Sequence, residues 1–128
     1  MIEFEDLRLR LLESEKPIAN LKEALAIDHV EKEIAELDEQ AAAPGFWDDT
    51  ENSQKVLKKA GALKAKLESY NSLKNDYDDA LMMIELADEE NDESMLEDCT
   101  KSVDSIESKI ETLTLSTPVS YTHLRAHE

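Results

Sequence analysis

A chain of 128 residues with 41% hydrophobic and 35% charged side chains, but only 5% aromatics, 2 glycines and 3 prolines, has the composition of long helices and lacks the residues a sheet fold needs. Its formal net charge of −17, with no basic stripe to offset it, repels phosphate backbones and excludes broad, direct nucleic-acid binding. The single cysteine, Cys99, excludes an intramolecular disulfide and a cysteine-based zinc site, and no apolar run reaches the length of a signal peptide or membrane span, so one cytoplasmic domain is expected.

Phe4, Leu7, Leu11, Ser14, Ile18, Leu21 and Leu25 are spaced three and four apart, which places them on one stripe of a helix over about 3–25. Pro17 lies inside that stretch and has no N–H to donate. The unchanged register on either side predicts a kinked helix; the alternative is a break near Ser14, with the serine capping a restart and Pro17 in its first turn. Asp28 and Glu31 have capping-box spacing ahead of Val30, Ile34, Leu37 and Ala41, so a second helix is predicted from near His29, after a loop at 26–28. Pro44-Gly45 ends it, and Pro44 to Asp49 reads as a loop.

Asp49 or Thr50 can cap a third helix, in which Val56, Ala60, Leu63, Leu67, Tyr70, Lys74, Tyr77, Leu81 and Ile84 keep one heptad register. It runs over about 51–88 and is too long for a globular core unless other helices share its length. Lys74 falls on the register and is expected to reach outward from a core position. After an acidic run at 88–94, Leu96, Cys99, Val103, Ile106, Ile110 and Leu113 resume the pattern in a fourth helix over about 93–114. Cys99 lies on that stripe and reads as a small core residue, not a reactive thiol. The fold expected is all-α: an antiparallel helical bundle with a long coiled-coil helical arm. The second helix returns against the first half of the third, the fourth packs against its second half, and the first packs across them.

From Pro118 the composition changes. PVSYTHLRAHE contains Tyr121, His123, Arg125 and His127 and none of the preceding periodicity, and VSYTHLRAHE resembles one reading frame of a transposon-end adaptor used in preparing sequencing libraries. Residues 118–128 are therefore expected to be a non-native, adaptor-derived tail, and the native domain to span 1–117. Removing one Arg and one Glu leaves the net charge at −17. His123 and His127 have the spacing of two zinc ligands on a helix, but with no further ligand they make no native site.

Catalytic chemistry has few residues to use. His29 is the only histidine before the tail, carboxylate pairs are too numerous for any one to be informative, and Gly45 and Gly61 stand alone, so there is no phosphate-cradling loop. No catalytic, cofactor-binding or metal-ligating residue is assigned, and no cofactor is expected. The acidic surface is compatible with basic protein partners, although solvated helix faces account for most of such charge.

The most specific local feature is PGFWDD, which sets Phe46 and Trp47 side by side between two amphipathic helices. Both rings are expected to be mainly buried against the bundle, since two adjacent exposed aromatics would form an apolar patch. The order IAELDEQAAAPGFWDDTENSQKVLKKAGALKAKLESY, then LMMIELADEENDESMLED, then SIESKIETLTLST, resembles the N-terminal domain of the bacterial release factor 2 family over about 1–117. The resemblance implies a parent factor that acts in translation termination at UGA and UAA stop codons and promotes peptidyl-tRNA hydrolysis in the ribosome. It also implies a contact near the ribosomal stalk base, and the GTP-binding release factor as a partner. The family's Ser-Pro-Phe decoding tripeptide is absent, since Pro17, Pro44 and Pro118 are followed by Ile18, Gly45 and Val119; no adjacent glycines provide its Gly-Gly-Gln loop. This stretch is therefore expected to serve contact and not to be an enzyme, with no membrane and no direct nucleic-acid binding. Composition also allows a free-standing coiled-coil adaptor or chaperone-like hairpin.

Overall fold

The apolar stripe from Phe4 to Leu25 is buried along its whole length, but two helices carry it. In the computed structural model, which describes residues 1–117, α1 (Ile2–Glu13) and α2 (Glu15–Ala24) meet at Ser14. Pro17, third in α2, cannot donate to the carbonyl of Glu13. The chain tightens at the joint: the Ser14 N–H bonds to the Leu11 carbonyl at 2.9 Å, three residues back, and the Ile18 N–H bonds to the Ser14 carbonyl at 3.1 Å. The division falls where the alternative reading put it, yet the serine cap does not form. Ser14 keeps helical torsions (φ −79, ψ −12), and one of the two amides a capping side chain would reach belongs to Pro17 and does not exist.

α3 (Ile27–Ala41) begins two residues earlier than expected, and the Asp28–Glu31 capping box is not made. Ala26 turns the chain in the left-handed region (φ 53, ψ 49), at a cost of roughly 1–2 kcal/mol for a residue with a Cβ. That turn lets Leu25 and Ile27, on either side of it, both enter the core. The connection is therefore Leu25–Ala26, and Asp28 sits within the first turn, where its charge suits the helix N-terminus. A single 3-10 turn (Phe46–Asp48) leads into α4 (Thr50–Glu89), whose 40 residues extend roughly 60 Å. Asp49 caps it, accepting from the Asn52 N–H at 3.1 Å. A second 3-10 turn (Glu93–Met95), capped by Asp92, precedes α5 (Leu96–Leu115). No strand occurs among the described residues.

Three contacts trace the topology. The Met1 amino group meets Asp88, the Tyr77 hydroxyl meets Glu15, and Lys59 meets Glu33, at 2.9, 2.9 and 2.8 Å. α1, α2 and α3 thus descend in succession along α4, antiparallel to it. α5 also runs antiparallel to α4, tied to it by the Lys109–Asp76 ion pair, and Arg10 of α1 clamps Asp104 and Glu107 of α5 at 2.7 and 2.6 Å. The first helical segment was expected to pack across the others. It lies lengthwise, because its stripe must cover the second half of α4 from end to end.

Two cores result. The larger, from Phe4 through Ile106, joins α1 and α2 to α5 and the second half of α4; the smaller, of Leu37, Phe46, Val56 and Ala60, belongs to the α3–α4 arm. The buried positions of α4 show the change of partner. In the arm they fall at Ser53, Val56 and Ala60, with Leu63 and Leu67 half-buried; in the bundle they fall at Tyr70, Leu73, Tyr77, Ala80, Ile84 and Ala87. Leu67, Tyr70 and Leu73 are two successive steps of three, a stammer that rotates the apolar seam. It lies where α5 ends and the layer thins from three helices to two. The single register predicted through Lys74 and Leu81 is corrected here: Leu73 takes the core position, while Lys74 stands outside, paired with Asp78 at 3.1 Å and 5.5 Å from the Tyr77 ring.

Tyr77 is buried, and its hydroxyl donates to Glu15. Burial first, and the neighbouring carboxylate second, raise its pKa well above the ordinary tyrosine range. Above about pH 10 an unfolded tyrosine loses its proton while Tyr77 keeps it, so the unfolded state holds fewer protons and stability falls as pH rises. Tyr77→Phe is expected to flatten this alkaline decline in urea midpoints taken from about pH 9 to 12. A residual slope should remain from the buried thiol of Cys99, whose pKa burial also raises. An unchanged decline in the variant would rule Tyr77 out as its source.

Candidate functional site

The connection between α3 and α4 is held in a fixed shape by its own backbone and side-chain hydrogen bonds. Gly45 adopts φ +80, a backbone that residues with a Cβ rarely take, and the amides of Phe46 and Asp48 bond back to the carbonyls of Ala43 and Gly45 at 3.2 and 3.1 Å. The buried Ser53 hydroxyl lies 2.6 Å from the Phe46 carbonyl and 2.8 Å from that of Asp49, and its one proton serves either. The loop is thereby fastened to the first turn of α4.

Phe46 is 7% exposed, but Trp47 is 68% exposed, which corrects the expectation that both rings are buried. In a 3-10 turn consecutive side chains project about 120° apart, so when Phe46 enters the seam Trp47 cannot. A seam between two helices has no third element to cover the second ring. The indole instead stands edge-to-face on Phe46, with ring centroids 5.1 Å apart and planes at 85°. Alternation of facing in a tight turn could have signalled this; aromatic content alone could not.

The tip carries one sign of charge. Glu33, Glu36, Asp38, Glu39, Asp48, Asp49 and Glu51 lie between Lys32 and Lys55 with no basic residue among them. Lys59 neutralises Glu33 and holds its carboxyl below the usual range through a direct hydrogen bond, and Lys64 pairs with Asp38 at 3.0 Å. Asp49 is occupied as a cap. Glu39, Asp48 and Glu51 are exposed and make no ion pair among the described residues.

Elsewhere the surface offers little chemistry. His29 is exposed, 3.6 Å from Glu33, with no nucleophile beside it. Cys99 is fully buried and burial raises its pKa, which suppresses the thiolate. Among the described residues no three His, Cys, Asp or Glu side chains are grouped to hold a metal, and no helix is long and apolar enough to cross a membrane. His123 and His127 lie outside the described residues, as does the whole 118–128 segment. A groove of about 540 Å³ between α4 and α5 is lined by Ser69, Ser72, Lys109 and Leu113, but Lys109 is engaged with Asp76.

The PCRF domain family matches residues 30–122, which takes in α3 from Val30, the PGFWDD tip, α4 and α5. Among curated relatives, the peptide chain release factor 2 of an Exiguobacterium species is 32% identical over 110 residues, covering 86% of this chain and 30% of that protein. That of Petrotoga mobilis is 33% identical over 110 residues (86% of this chain, 29% of that protein), and that of Sulfurimonas denitrificans 35% over 98 residues (77% and 27%). The chain thus spans about 30% of the length of these relatives. The matches disfavour the free-standing adaptor reading, since they fall on one family and on relatives that share one name.

Proposed function

Because this chain belongs to the PCRF domain family, we propose that it is the N-terminal domain of a class I peptide chain release factor acting in translation termination at UGA and UAA codons. The observation that carries this reading is the matched stretch itself, which spans residues 30–122 and so includes the PGFWDD tip, the 40-residue α4 and α5, together with 32% identity over 110 residues to a protein named peptide chain release factor 2. The domain's role is contact, with the ribosome near its stalk base and with the GTP-binding release factor, in the cytoplasm. An acidic body with a long stiff arm suits docking on basic ribosomal proteins, and its field discourages misplaced binding to ribosomal RNA. Peptidyl-tRNA hydrolysis and stop-codon reading belong to parts of the parent beyond this chain. Residues 118–128 are a non-native tail, a reading supported by the change of composition at Pro118; the family match runs to residue 122 and overlaps the first five of them.

A release assay on terminated ribosomes tests the reading. The chain by itself is expected to release no peptide, because water attack on the ester needs a positioned donor and a water-excluding loop. In excess it should weakly slow an intact factor, since one contact of several lacks the effective-concentration gain of linked sites. Peptide release above the no-factor control would refute the first expectation. An unchanged intact-factor rate at every concentration would refute independent ribosomal contact.

A further inference from the structure

Resting on that contact role, we propose that the α3–α4 tip docks an arginine-bearing basic segment of a partner protein, with Trp47 as its aromatic face and Asp48 and Glu51 as its acidic flank. Among the described residues every phenylalanine and tyrosine ring, Phe4, Phe46, Tyr70 and Tyr77, is buried, so an exposed large aromatic is particular to this position. Gly45, the Ser53 hydroxyl and the Phe46 ring hold the turn in shape before any partner arrives, which lowers the ordering cost of binding. Among the described residues Asp48 and Glu51 pair with no cation, and both are exposed on the same tip.

An indole face beside carboxylates matches a guanidinium, which stacks on the ring and donates a planar fork to carboxylate oxygens. A phosphate backbone is repelled by the same charges. A purely apolar partner would meet only one large side chain, since the exposed neighbours Ala42, Ala43 and Pro44 are small.

Trp47 is the sole tryptophan of the sequence, so its emission reports on the tip. Titration of the chain at about 0.15 M salt with a decapeptide carrying four arginines is expected to quench that emission and shield it from acrylamide, and the lysine counterpart should bind about fivefold more weakly. Asp48→Asn with Glu51→Gln should weaken the arginine peptide about tenfold, and Glu89→Gln with Glu90→Gln, at the far end of α4, less than about twofold. Equal weakening by the two pairs, or unaltered emission at saturation, overturns the proposal. Pelleting with bacterial ribosomes separates its failure from that of the contact role. Trp47→Ala, with helicity checked by circular dichroism, should pellet about fivefold less than the parent chain. Equal pelleting overturns the tip alone; if the parent chain does not pellet, the contact role fails and the peptide titration still decides the tip. A dimer lost in Trp47→Ala would assign the tip to a second copy, and shielding of this indole in the longer factor without a partner would assign it to the parent's later domains. Either result overturns the proposal.

Discussion

Leu73→Ala is expected to lower unfolding free energy by about 3 kcal/mol, whereas Lys74→Ala should change it by no more than about 1 kcal/mol. Leu73 is fully buried where α4 enters the three-helix region, so truncation removes its transfer energy and leaves a cavity that the surrounding side chains can only partly close. Lys74, one residue along, is about half exposed and holds only an i,i+4 ion pair with Asp78 and a ring contact with Tyr77. A domain of this size is stable by about 5–15 kcal/mol, so the first change consumes a large fraction of the total. Urea midpoints with unchanged m-values decide the comparison. If Lys74→Ala costs as much as Leu73→Ala, the continuous register through Lys74 and Leu81 is the right one and the stammer at Tyr70 is not.

Phe46→Ala is expected to remove about 3 kcal/mol from the arm while leaving the bundle folded. Phe46 is the only aromatic in a cluster otherwise made of Leu37, Val56 and Ala60, and no large buried side chain nearby can take its place. The bundle core draws on different residues and is joined to the arm chiefly through the continuity of α4 and the Leu25–Ile27 turn. Amide exchange should therefore accelerate over the first turns of α4, and Trp47 emission should change, while amides from Leu73 to Ala87 keep their protection. Simultaneous loss of protection in both regions would show that arm and bundle unfold as one unit.

Much of the fold was legible in the sequence because amphipathic spacing is a local property. The stripe Phe4 to Leu25, the trio Cys99, Val103 and Ile106, the Asp49 cap and the interruption at Pro44-Gly45 stand where spacing and capping chemistry placed them. The helix ends at Ser14 and Ala26 were less legible. At Ser14 a proline removed the amide that a cap would use, and at Ala26 burial of both flanking residues outweighed an available capping box.

The sequence by itself determined the helical class, the number of apolar stripes, the acidic surface and the family resemblance, since each depends on residue type and on spacing within a few turns. Only the tertiary structure decided which face of α4 is buried at each level, because a heptad pattern does not say how many helices surround it. Two neighbouring helices near Leu73 select one seam and a single neighbour near Val56 selects another, so the register shifts between them. The same geometry decided the tip: a two-helix seam has room for one aromatic ring, Phe46 occupies it, and Trp47 is left facing solvent.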